Sequence, residues 1–168
     1  IDPAHTTAQF NVRHMMVTTV RGHFETVSGT VNLEEKDLVK SNVQLTIDAA
    51  SINTRNKKRD EHLRSPDFFD VAKNPNLTFK STKVEKAGKG KFKVTGDLTM
   101  RGVTKPVVLT VVGPTDAQKS PFGHTVRGVS ATGKLNRKDW GLTWNKAVEA
   151  GGVLIADEIE LQVDAELI

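Results

Sequence analysis

The 168-residue chain has no cysteine, which excludes disulfides, thiolate metal centres and cysteine nucleophiles, although it does not identify a compartment. No apolar run approaches the roughly 20 residues that a membrane-spanning helix requires, so no membrane anchor is expected. Repeats, low-complexity tracts and Pro/Ser-rich linkers are also missing, and composition does not change between the halves. There is no nucleophile elbow, phosphate-binding glycine loop or dinucleotide fingerprint. Gly88-Lys89-Gly90 lacks the strand and helix context of a phosphate loop and reads as a turn. No two carboxylates are placed by spacing alone as an acid/base couple. Catalysis is therefore not expected.

Hydrophobic residues make up 37% and charged residues 26% of the chain, the balance of a soluble globular protein. Its length suits one domain over residues 1–168 with a sizeable core. The net charge of +4 is modest, and the lysines are scattered, so the surface reads as solvated and nucleic-acid binding is not expected. The first residue is Ile1 rather than methionine, which suits a processed secretory protein. A periplasmic or secreted location is the expectation, with the cytoplasm left open.

The dominant hydrophobic period is two, that of strands with one buried face. Phe92, Val94, Gly96, Leu98 and Met100 alternate with Lys91, Lys93, Thr95, Asp97, Thr99 and Arg101. Ile159, Leu161, Val163, Ala165 and Leu167 alternate with acids and glutamine in the C-terminal segment. Val43, Leu45 and Ile47 form a third face, Phe10 and Val12 a fourth, and Val129, Ala131, Gly133 and Leu135 a fifth. Leu77 and Phe79 begin another strand, Val107 to Val112 is a β-branched run, and Phe24 to Leu33 completes about eight strands. Most connections are too short for crossover helices, so the pairing is antiparallel. Gly102-Val103-Thr104 and Ala87-Gly88-Lys89-Gly90 are expected as hairpin loops. Closure into a barrel would remove exposed edges, with a two-sheet sandwich as the structural rival.

One stretch breaks the alternation. Asn53 to Arg64 is rich in helix formers behind Asn53 or Thr54 as caps. Ser65-Pro66-Asp67 carries the marks of a second helix start. Phe68, Phe69 and Val71 follow and need burial. Such an insertion in an all-β chain suits a plug at a barrel end. Asn145 to Gly151 is a further candidate helix, ended by Gly151-Gly152.

Among the histidines, His14 shares the inward face of Phe10 and Val12. It is a candidate for a hydrogen-bonded core residue or for a polar ligand contact, and no histidine pair has metal-site spacing. Arg137-Lys138-Asp139-Trp140-Gly141-Leu142-Thr143-Trp144 places two basic residues beside two tryptophans. It would either close a cavity mouth against an anionic head group or form a surface turn packed on the barrel.

A series of short motifs in fixed order adds a resemblance. Ile1-Asp2-Pro3 with His5-Thr6 comes first, then Phe10, Val12, His14 and Met15, then Gly22 and Phe24. Ser51-Ile52-Asn53-Thr54, Arg59-Asp60, His62-Leu63, Ser65 and Asp67-Phe68-Phe69-Asp70 follow. Phe79-Lys80-Ser81-Thr82, Gly96-Asp97-Leu98-Thr99, Arg101-Gly102-Val103-Thr104-Lys105-Pro106-Val107, Asn136-Arg137 and Gly141-Leu142 complete the set. Together they resemble the YceI-like family, also described as lipocalin-like polyisoprenoid-binding proteins. Thr6 and Trp140 depart from the usual serine and phenylalanine, and the Gly-x-Trp signature of lipocalins is lacking. The resemblance implies an all-β fold: an extended eight-stranded antiparallel barrel enclosing a long isoprenoid or related lipid, in a typically bacterial, often periplasmic protein without established catalytic activity. Polyprenyl phosphates, isoprenoid quinones such as ubiquinone or menaquinone, and fatty-acid amides are the implied ligands.

The expectation is thus a carrier that needs no cofactor beyond its lipid. Phe10, Val12, Leu45, Ile47, Phe79, Leu98, Met100, Leu135 and Leu161 would hold the tail. Phe68, Phe69, Trp140 and Trp144 would close the barrel, and His14, Arg101 and Arg137 are candidate head-group contacts. Transient membrane contact and a homodimer are both compatible with this reading. Its rivals are an enzyme acting on an isoprenoid or quinone substrate and a ligand-free structural or stress-response module. Each assignment depends on strand register, since a one-residue slip inverts every side chain.

Overall fold

The alternating segments pair as eleven strands in the computed structural model, which describes residues 1–149 and 151–168. They are β1 (Thr7–His14), β2 (Thr18–Phe24), β3 (Val27–Asn32), β4 (Asn42–Asp48), β5 (Ile52–Asn53) and β6 (Asn76–Gly88). β7 (Lys91–Met100), β8 (Val103–Val112), β9 (Gln118–Lys119), β10 (Thr125–Asn136) and β11 (Ile155–Leu167) follow. All the described ladders are antiparallel.

The hydrogen-bonded path runs β3-β4-β6-β7-β8-β10-β11-β1-β2-β5, with β9 appended to β10. Its two ends are continuations of strands already inside it. β3 extends β2 past a bend at Glu25 and Thr26, and β5 extends β4 past the short turn Ala49–Ser51. β3 pairs β4 from Val27↔Ile47 to Asn32↔Asn42, and β2 pairs β5 at Phe24↔Ile52 and His23↔Asn53. Two bent strands therefore join the ends of the curled sheet. The staves are β1, β2/β3, β4/β5, β6, β7, β8, β10 and β11, the eight that alternation indicates. Joining the ends removes open edges, which a sheet this long must otherwise protect.

Two short ladders loosen one end. β2 has no strand partner beyond Phe24 and His23 on its β5 side, and β8 meets β10 only between Thr110–Val112 and Ser130–Thr132. Among the described residues one α-helix forms, α1 (Lys57–Arg64), three residues after β5, and the short turn Arg137–Trp140 follows directly on β10.

The helix starts later than its composition suggests. Asn56, rather than Asn53 or Thr54, caps it by accepting from the Arg59 amide at 3.0 Å. Ile52 and Asn53 are taken by β5, and Arg55 turns the chain in the left-handed region at φ 63°. The second helix expected at Ser65 does not form. The amides of Phe69 and Val71 return instead to the carbonyls of Leu63 and Arg64, satisfying the exposed end of α1. Asn145 to Gly151 is also not helical over its described residues: Asn145 caps Ile155 through both side-chain atoms, and Ala147 bridges Val153. Ala150 lies outside the described residues. The β7–β8 turn is tighter than expected, with Arg101 and Gly102 at φ 50° and 72° and Val103 and Thr104 already in β8.

The inward glycines have a role that alternation alone conceals. A Cβ on Gly96 would lie 2.3 Å from Phe79 Cζ and 2.7 Å from the Lys80 carbonyl oxygen. On Gly133 it would lie 2.6 Å from Leu109 Cδ2. These positions seat neighbouring side chains rather than widening the bore. Gly96→Ala is expected to destabilise the fold by about 1–3 kcal/mol, because the Lys80 carbonyl cannot step aside. A urea midpoint shifted down at constant slope is the expected reading, and an unchanged midpoint would show that the ring does not sit there.

Candidate functional site: an apolar bore

Register places the inward residues in rows around the barrel. Phe10, Leu161 and Gly133 are neighbours across β1, β11 and β10, as are Val12, Ile159 and Leu135. Leu45, Phe79 and Leu98 form a facing row across β4, β6 and β7. Phe79, Leu98, Met100 and Val107 are buried, yet Phe10, Val12, Leu45, Ile47, Leu109 and Val163 are only half-buried. The half-buried members face a cavity of about 470 Å³ whose walls are almost wholly apolar. A second cavity of about 130 Å³ lies toward the end holding Ile1, Leu38, Phe92 and Pro114. Leu45, Phe79, Leu109, Ala131 and Val163 line both cavities and form the waist between them. Strands of this length make a bore of the order of 30 Å.

The larger cavity has its polar lining beside α1. Arg13 and His14 come from the end of β1, Lys58, Arg59 and His62 from α1, and Trp144, Leu154 and Ile155 from the segment entering β11. Arg59, His62 and Leu63 share one helix face at spacings of three and four. Two aromatic groups cover this end. Phe24 packs on Phe10 at 5.9 Å and on Phe69 at 5.7 Å, while His62 stands edge-on to Phe68 at 5.0 Å and Trp144 at 4.6 Å. His62 Nε2 also meets Asp67 at 2.8 Å.

A buried carboxylate anchors the helix. Asp60 accepts from the Thr54 amide at 2.9 Å and from its hydroxyl, and Arg59 Nε donates to Thr54 Oγ1 at 2.7 Å. Asp60 is thus committed to tying α1 to β5.

The expected tail and closing residues all line the larger cavity except Trp140. That indole is buried but donates from Nε1 to the Leu98 carbonyl at 3.0 Å, wedged between the turn and β7. Of the polar candidates, His14 lies on the cavity wall at the end of β1. Arg101 lies outside it: its guanidinium donates to the carbonyls of Pro66 and Phe68, both at 2.7 Å, and holds the turn after α1. Arg137 touches the cavity, but its donors go to backbone. It bonds Leu142 at 2.6 Å, Trp144 at 2.9 Å, Ala156 at 3.0 Å and Ile155 at 3.5 Å, and Asp157 lies 3.6 Å away. Burial pushes its pKa down and Asp157 pulls it up. Arg137 thus commits four of its five N–H donors to the wall segment and positions it, with the Asp157 carboxylate beside the guanidinium.

Sequence reasoning missed Lys58, Arg59, His62 and Leu63, because period-two alternation cannot see a helical wall. Ile159 and Val163 carried the same signal as Leu161. Leu154 and Ile155 gave none, since long-range hydrogen bonds place them: Leu154 through Lys146 and Met15, Ile155 through Arg137 and Asn145.

Outside the bore, His5 Nδ1 meets Asp2 at 2.7 Å and Glu166 at 3.6 Å. The hydrogen bond to Asp2, then the charge of Glu166, raise the His5 pKa above its usual 6.5. Protonated His5 therefore steadies the N-terminal turn below about pH 6.5, and that help fades as pH rises through the raised value. Amide exchange at Asp2, whose N–H bonds the Glu166 carbonyl at 2.9 Å, should accelerate above this range beyond the intrinsic increase. Exchange that tracks the intrinsic rate alone would remove His5 from the latch.

Comparison with known proteins agrees with this architecture. The YceI-like domain profile matches residues 1–167. UPF0312 protein SAS2572 of Staphylococcus aureus (strain MSSA476) is 34% identical over 165 residues, covering 98% of this chain and 94% of its own. A Campylobacter jejuni YCEI protein superposes with a TM-score of 0.78 at 32% identity, over 92% of this chain and 88% of its own. Burkholderia cenocepacia BcnA shares the fold at a TM-score of 0.85 and 21% identity, over 100% of this chain and 99% of its own. A polyisoprenoid binding domain from Saccharophagus degradans, implicated in plant cell wall breakdown, shares it at 0.66 and 16%, over 96% and 92%. With its profile spanning nearly every residue and its fold shared along the whole chain, the protein belongs to the YceI-like family.

Proposed function

We propose that the protein is a non-enzymatic carrier that holds a long isoprenoid-type lipid along the bore. The supporting observation is two apolar cavities stacked end to end that share Leu45, Phe79, Leu109, Ala131 and Val163 in their walls, a layout suited to a slim tail rather than a compact ligand. Apolar burial favours such a guest by about 0.8 kcal/mol per methylene, or roughly 3 kcal/mol per isoprene unit. Two or three units exceed the roughly 1.5–3 kcal/mol of one charge-assisted hydrogen bond. The tail therefore sets affinity, and the polar mouth near Arg13, His14 and Lys58 selects the head group. Polyprenyl phosphates and isoprenoid quinones both meet this description, and transport between membranes across a periplasm is the matching task. The Saccharophagus domain, described as polyisoprenoid binding, lends the same ligand class to this fold.

Organic extraction of the purified protein followed by mass spectrometry tests the reading. An isoprenoid-type lipid, bound near one per chain or exchangeable with added polyprenol, is the expected result. A protein that carries none and takes up none would be a structural module instead.

A further inference from the structure

The β1–β2 hairpin tip is a poor place for apolar side chains, yet it carries three in succession. Met15, Met16 and Val17 are 45%, 63% and 73% exposed. Met15 and Met16 adopt φ of 51° and 58°, a left-handed conformation that such turns usually assign to asparagine or glycine. The tip is held in shape: Arg13 donates to the Met16 carbonyl at 2.8 Å and to Thr19 at 3.1 Å, and the Met15 amide bonds Leu154 at 2.8 Å. Beside Leu154, Val153 is exposed as well. Folding thus fixes a strained apolar prow where a flexible polar turn would serve the hairpin equally.

Its position gives it a use. Arg13 and His14, which lead into the tip, line the cavity, and so does Leu154, which bonds it. Across the mouth stands α1 with its preceding turn, where Arg55, Lys57 and Lys58 are exposed. Glu61 is the exposed acid on that helix, while Asp60 is buried against Thr54. The mouth thus combines projecting methionines and valine with a basic rim, the pattern by which peripheral proteins seat on anionic bilayers.

We propose that this end docks on an anionic lipid bilayer, with Met15, Met16 and Val17 inserted among the acyl chains and Arg55, Lys57 and Lys58 facing the head groups. The inference rests on the carrier reading: a tail sliding out of the bilayer would enter the bore without crossing water. Phe122, 86% exposed in the β9–β10 loop at the other end of the barrel, supplies the internal control.

Co-sedimentation with phosphatidylcholine vesicles containing or lacking phosphatidylglycerol tests the docking. The wild type should bind the anionic vesicles, and raised salt should weaken it. Met16→Glu/Val17→Glu should lower partitioning about tenfold or more, since it removes inserted apolar surface and adds like charge. Phe122→Glu should leave it unchanged. Uptake of detergent-solubilised polyprenol by the hairpin variant should equal that of the wild type, so a loss there would implicate the bore rather than the docking surface. Absence of vesicle binding by the wild type, equal binding by the hairpin variant, or loss through Phe122→Glu would overturn the proposal. A hairpin-dependent dimer in sedimentation, with no vesicle binding, would overturn it in favour of a second copy of the chain.

Discussion

Arg137→Met is expected to lower the unfolding free energy by about 3 kcal/mol or more, the cost of leaving several buried acceptors without a donor. Methionine matches much of the aliphatic stem, so the loss measures hydrogen bonding rather than volume. Arg137 is only 3% exposed, and its guanidinium serves four carbonyls on two converging segments. Those segments carry Leu142, Trp144 and Ile155, which form one wall of the larger cavity. Arg137→Lys should fall between, because an ammonium cannot span the same carbonyls in a planar fork. Chemical denaturation reads both variants. A loss below about 1 kcal/mol for methionine would show that solvent reaches these carbonyls and that the clamp is superficial.

Ala131→Trp should act on binding rather than folding. Ala131 lies at the waist with Leu45, Phe79, Leu109 and Val163, where both cavities meet. A large ring there grows into open volume and divides the bore. A tail long enough to enter the smaller cavity would lose about one isoprene unit of burial. That is roughly 3 kcal/mol, or about a hundredfold in affinity. A tail short enough to remain in the larger cavity should bind nearly as before. Circular dichroism and a urea curve would establish that the barrel persists. Equal losses for long and short tails would mean that the guest does not pass Ala131.

Much of the barrel is legible in sequence because β-sheet burial has the simplest period. Phe92 to Met100 and Ile159 to Leu167 show their inner faces directly, and each neighbour's register then follows from one-sided burial. What alternation does not carry is anything set by long-range hydrogen bonds. Arg101 and Arg137 look from sequence like cations available to a ligand. Only the folded chain shows their donors taken by carbonyls, in the case of Arg101 some 35 residues away. Trp140 likewise reads as part of a mouth until its indole N–H is seen on Leu98. The helix starts at Lys57 rather than Asn53 because Asn53 pairs with β2, a long-range partner that helix-forming composition does not reveal. Gly96 and Gly133 carry no side chain of their own, and only the folded chain shows that a ring and a methyl from neighbouring strands occupy the space beside them.

The most direct test is equilibrium binding of polyprenols that differ only in their number of isoprene units. Affinity should climb with each added unit until both cavities are filled and then level off, with the plateau reached at a shorter chain in Ala131→Trp. Affinity that does not depend on chain length, or no binding at any length, would contradict a tail-filled bore.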